Sequence, residues 1–132
     1  MTDDKLIASI PLENGLLLEL LDESRPLAGD RWLVHLVARI QVPLTPDLLK
    51  DVPNGVRLYE DLRQESGDRL EYRADLKRHF VGEKDRERVL GEFQDIVRQE
   101  KAPYLSHPDF AKRLAISRVR ETTKGGSKWG RG

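Results

Sequence analysis

The sequence predicts an α+β fold: an antiparallel sheet of about five strands, in the order β-β-β-short helix-β-β-α-α, packed against two C-terminal helices. Three observations predict it. Apolar residues recur at every second position over residues 32–42 and, interrupted at Arg78, over residues 70–80, an Asn-Gly pair separates two apolar runs near the start, and residues 83–101 carry apolar side chains at helical spacing. With 132 residues, 38% hydrophobic and 35% charged, the chain is long enough for one core beneath a very polar surface.

Asn14-Gly15 lies between apolar residues 6–12 and 16–21, which predicts a hairpin whose turn has positive φ at both central residues. Leu16, Leu18 and Leu20 on one face and Leu17 and Leu21 on the other make the second strand apolar on both sides, as a central strand is. A loop punctuated by Pro26 and Gly29 leads to a third strand over residues 31–42. Its even positions, Trp32, Val34, Leu36, Ala38, Ile40 and Val42, are all apolar, while Leu33, His35, Val37 and Arg39 form a mixed face. Thr45-Pro46-Asp47 opens a short helix that Pro53-Asn54-Gly55 stops.

Residues 56–65 fit either a helix or a strand. Reading Ser66-Gly67-Asp68 as a hairpin loop sets Glu65 opposite Arg69, Arg63 opposite Glu71 and Asp61 opposite Arg73, three pairs of opposite sign, and so predicts a strand. Residues 70–80, with Leu70, Tyr72, Ala74, Leu76 and Phe80 alternating with charges, predict its partner. Val89, Leu90, Phe93, Ile96 and Val97 predict a helix that ends at Ala102-Pro103. Ser106 and Asp109 then resemble a capping box opening a last helix that runs to about Arg120. The domain expected from these elements covers residues 1–121, followed by a flexible, basic, glycine-rich tail over residues 122–132.

Composition excludes some chemistry. There is no cysteine, hence no thiol nucleophile, disulfide or thiolate metal site. The acidic start Met1-Thr2-Asp3-Asp4 is unlike a secretory signal and no apolar run approaches the length of a membrane span, so a cytoplasmic location and no membrane partner are expected. Gly-x-Ser-x-Gly is absent around every serine. Lys124-Gly125-Gly126-Ser127-Lys128 lacks the strand and helix that a phosphate loop requires. The three histidines, His35, His79 and His107, have no metal-ligand spacing, and neither a metal nor a cofactor is expected.

Net charge is zero, yet from Ala111 onward there are seven bases and one acid, a net +6 against −6 in the first 110 residues. The leading expectation is a non-catalytic protein-binding or regulatory module. It would engage a protein partner or a second copy through a sheet edge or the partly apolar face of Leu33, His35 and Val37. An alternative is an accessory nucleic-acid binder, with Lys112, Arg113, Arg118, Arg120, Lys124, Lys128 and Arg131 on phosphates and Trp129 stacking on a base. Another is a small-molecule enzyme whose site joins His35 and His79 to Asp75 or Glu71.

Overall fold

The computed structural model describes the backbone of residues 5–130 and the side chains of residues 5–121. It is an α+β structure with a five-stranded antiparallel sheet and C-terminal helices, the class the patterning predicts. Strand β1 (Lys5–Pro11) pairs antiparallel with β2 (Leu17–Asp22). The turn between them differs from expectation: Gly15 has φ of 90°, but Asn14 is not in the left-handed region. The Asn14 side chain does the work instead, its Oδ1 accepting the Leu16 N–H at 3.1 Å.

Strand β3 (Arg25–Ala28) occupies the stretch expected to be a loop, and β4 (Arg31–Pro43) follows it. Asp22 faces Leu36 and Arg25 faces Leu33, three residues onward on one strand and three back on the other. The register therefore runs through Glu23 and Ser24 without a slip, and β2 and β3 form one interrupted strand along the same edge of β4. Pro26 hid this continuity in the sequence. In the alternation set by the Glu23 N–H bond to His35 O (2.8 Å), the backbone of Pro26 faces away from β4, where no ladder donor is needed.

A short 3₁₀ turn (Pro46–Leu49) leads to α1 (Gly55–Ser66), which replaces the strand expected over residues 56–65. Because residues 55–66 are helical, the cross-strand register that favoured a hairpin does not arise, and the helix-forming Arg, Leu, Glu and Gln residues favour this outcome. Gly55 opens this helix because nothing larger fits: a Cβ there would lie 1.9 Å from the Leu49 carbonyl oxygen. Gly67, at φ of 78°, caps its end by donating to Arg63 O.

Strand β5 (Arg69–Gly82) is extended as the period predicts, but it pairs with β4 rather than with a strand over residues 56–65. A 3₁₀ turn (Glu83–Asp85) enters α2 (Arg86–Ile96), and the chain then passes through a π turn (Val97–Lys101) into α3 (Ala102–Leu105). The helical path thus runs past Pro103. The π turn widens the ladder just before it, so the proline falls at the start of a new helical segment, where its missing N–H costs little. Helix α4 (Phe110–Gly130) extends beyond Arg120. The flexible tail expected over residues 122–132 falls on residues whose side chains lie outside the described set.

The chain gathers into two compact units. One takes residues 5–40 and 72–107, the other residues 41–71 and 108–130. In the first, Leu18, Leu20, Val34, Leu36, Ala38 and Ile40 from the sheet and Val89, Phe93, Val97 and Leu105 from the helices are buried. Each large apolar side chain removed from water stabilises by about 1.5–3 kcal/mol. Two polar ties fix the helices of this unit: Asn14 Nδ2 donates to Leu105 O at 2.8 Å, and Arg78 pairs with Glu92 at 3.4 Å while lying over the Phe93 ring. In the second unit Val42, Leu44, Leu49, Leu62, Leu70, Phe110, Leu114 and Ala115 are buried.

Candidate functional site

The break between β2 and β3 lies opposite His35, and it organises the densest polar cluster of the first unit. A regular ladder would give the His35 N–H a backbone acceptor. Here Ser24 Oγ accepts it at 3.0 Å, and Ser24's own N–H is taken by Asp22 Oδ1 at 3.0 Å. Side chains substitute for backbone, and both of these N–H groups keep an acceptor at the break.

Glu23 and Asp75 flank the His35 imidazole from the strands on either side. Nε2 lies 2.7 Å from Asp75 Oδ2 and Nδ1 lies 3.8 Å from Glu23 Oε1. Arg73, two residues before Asp75 and so on the same face of β5, reaches Glu23 Oε1 at 3.3 Å and Asp75 Oδ1 at 3.2 Å. The hydrogen bond from Arg73 is the largest influence on Asp75. Together with His35 it holds the carboxyl below its usual range, against a desolvation that pushes the other way. The same bond raises Arg73. With Asp75 ionised and accepting, the proton of the pair resides on Nε2.

A carboxylate on one imidazole nitrogen fixes the ring's tautomer and orientation, as in the base-and-orienter half of a catalytic triad. Among the described residues, the other half is not assembled around this ring. Its second nitrogen faces a carboxylate, and its side chain is only 11% exposed. Ser24 Oγ accepts from the His35 backbone. The arrangement ties three strands together.

The sequence expectation of a site joining His35 and His79 to Asp75 or Glu71 is met only at His35 and Asp75. His79 lies four residues beyond Asp75, about 13 Å along an extended strand, and its ring neighbours Phe80. Glu23 and Arg73 were missed, because the cluster depends on a register that crosses an unrecognised strand. Among the described residues no group of three or more histidines and carboxylates is arranged to hold a metal ion.

The face proposed for a partner is closed. Leu33 is 4% exposed, Val37 1% and His35 9%. The physical reason is that β4 is flanked on both sides and its odd face carries a polar cover. Arg39 donates to Glu19 Oε1 at 3.0 and 2.9 Å, and the Arg73–Glu23 pair lies on the same face. Among the basic candidates, Lys112 lies 3.8 Å from Asp51, and Arg118 donates to the Glu71 carbonyl and lies 3.9 Å from Glu121. Arg113 and Arg120 are exposed. Lys124, Lys128, Trp129 and Arg131 have side chains outside the described set.

Among the described residues no helix is long and apolar enough to cross a membrane. Comparison with protein-family descriptions, with curated proteins and with solved structures found no match to this chain.

Proposed function

We propose that this chain is a non-catalytic binding module that acts by strand pairing at the open edge of β5, and that its partner is a second copy of itself. The observation that carries this reading is the charge pattern of that edge. Among the described residues, strand β5 pairs with β4 and with no other strand of the sheet. His35 directs its backbone groups toward β2 and meets Asp75 across the ladder, so Asp75 and the residues alternating with it direct theirs outward. These outward residues read Arg69, Glu71, Arg73, Asp75, Lys77, with strict alternation of sign.

Alternation makes the edge selective. An antiparallel copy paired about Ala74 sets Arg73 against Asp75 and Glu71 against Lys77, each twice, and at Glu71 the copy's backbone takes over the carbonyl to which Arg118 donates in the single chain. Shifting the axis to Arg73 sets Glu71 against Asp75 and Arg69 against Lys77, all like charges. Opposite pairs directly across a ladder stabilise by about 0.2–1 kcal/mol each and like pairs destabilise similarly. The same charges deter pairing with uncharged strands, the usual hazard of an exposed edge.

A ladder this short buries little area, so association is expected to be weak, at about 100 μM protein. Sedimentation measures it. Lys77→Glu or Glu71→Lys alone sets like charges together at two symmetric places, and each is expected to weaken the dimer by about tenfold. The double exchange restores it. A chain that stays monomeric at several times that concentration, or a dimer indifferent to the single reversals, overturns the reading.

A further inference from the structure

We propose that the second unit holds a binding site for a free α-amino acid, in the open cavity of about 500 Å³ lined by Gln41, Ser66, Arg69, Leu70, Glu71 and Arg118. Its size falls in the range of small-ligand sites, which run from about 300 to 1,000 Å³. Its chemistry is unusual for such a site, because almost every wall is polar. Leu70 is 1% exposed and offers little apolar surface, so a ligand is held by charge and hydrogen bonds.

The charges present are of both signs. Arg69 and Arg118 bring two guanidiniums, planar forks that match a carboxylate; each already lies beside an exposed one, Asp68 at 3.7 Å and Glu121 at 3.9 Å, in loose pairs that a bidentate ligand carboxylate outcompetes. Glu71 brings a carboxylate, and Ser66 is the last residue of α1, whose C-terminal end carries the negative pole of a 12-residue helix. A simple anion such as phosphate meets Glu71 and the helix end unfavourably. A simple cation meets two arginines. A small molecule bearing both a carboxylate and an ammonium satisfies both sets, and a free α-amino acid is the smallest common molecule of that kind.

The walls are also held in place. Arg118 donates through Nη2 to the Glu71 carbonyl oxygen, and Arg69 donates through Nη1 to Gln41 Oε1. Preorganised donors lose little freedom on binding, which favours a charged ligand even in an open site. A second concavity of about 310 Å³, lined by Gln41, Pro43, Asp68 and Arg69, shares two of these residues and gives a side chain somewhere to go.

The test uses the full chain at a concentration where it is monomeric, followed by amide and guanidinium NMR shifts. Glycine and glutamine serve as probes, with N-acetylglycine, glycinamide and inorganic phosphate as controls. Both amino acids are expected to move resonances of residues 66–71 and of Arg118 with dissociation constants of about 1–10 mM. Loss of the ammonium in N-acetylglycine or of the carboxylate in glycinamide is expected to weaken binding at least about tenfold, and Arg118→Gln to do the same in a chain whose amide spectrum away from the cavity is that of the parent. The proposal is overturned if neither amino acid moves these resonances, if either control binds as tightly as glycine, if phosphate alone binds, or if Arg118→Gln binds like the parent.

Discussion

Asp75 is where a single proton changes how the sheet is held. Its carboxyl titrates below the usual range in the folded chain, first because Arg73 donates to it and then because His35 does. A group depressed on folding stabilises the folded state fully above its unfolded value, about 3.9, and that stabilisation fades as pH falls through the folded value. Asp75→Asn removes the charge that Arg73 holds but keeps an oxygen for the imidazole. It is expected to cost about 1 kcal/mol at pH 7, discounted for the 33% exposure of the Asp75 side chain. Urea titrations check this, and the difference between variant and parent should shrink as pH falls below the usual carboxylate range and Asp75 itself takes up a proton. A gap that persists there would mean that shape, not charge, sets the cost. Part of this cluster was visible in the sequence: His35 and Asp75 fall on the polar faces of two strands whose period is clear. Glu23 was not, because nothing in Glu23-Ser24-Arg25-Pro26 announces an extended segment.

The helices show where local chemistry overrides pattern and where it agrees. Residues 56–65 satisfy either period, and the choice of strand rested on cross-strand charges that any alternating sequence can supply. The deciding contact is tertiary: Gly55 sits against the Leu49 carbonyl with no room for a side chain, which starts α1 at that residue. Gly55→Ala is therefore expected to destabilise by about 2–3 kcal/mol or more, as overpacking against backbone does. Gly91 lies inside α2, and a Cβ there meets nothing within 4 Å. Gly91→Ala removes the entropic penalty of a helical glycine and is expected to stabilise by about 0.5–1 kcal/mol. Thermal melts of the two variants should move in opposite directions, and movement in the same direction would count against the placement of one of these glycines. The strands over residues 32–42 and 70–80 were legible because apolar residues collect on the even side of each, buried from Val34 to Val42 and buried or half-buried from Leu70 to Leu76, and a covered side imposes a period of two that no other element shares.

Across the whole molecule, formal neutrality conceals order at two length scales: the excess of base in the C-terminal segment and the residue-by-residue alternation on β5. Only the second specifies a geometry, since a bulk asymmetry is screened beyond about 10 Å at 0.1 M salt while pairs across a ladder are in contact. It also makes the edge readable amide by amide. The N–H groups of Ala74 and Leu76 face β4 and should be protected from hydrogen exchange at every protein concentration. Those of Arg73, Asp75 and Lys77 face outward, so in dilute solution they should exchange at rates close to those of an unstructured chain. If a second copy occupies the edge, protection should appear at these three amides as protein concentration rises, and it should fade when the Debye length falls from about 10 to about 3 Å in 1 M salt. Alternating protection at low concentration establishes which groups the edge presents. Concentration-dependent protection at the outward set ties those groups to self-pairing, and its absence in a sample that nevertheless dimerises would move the interface away from β5.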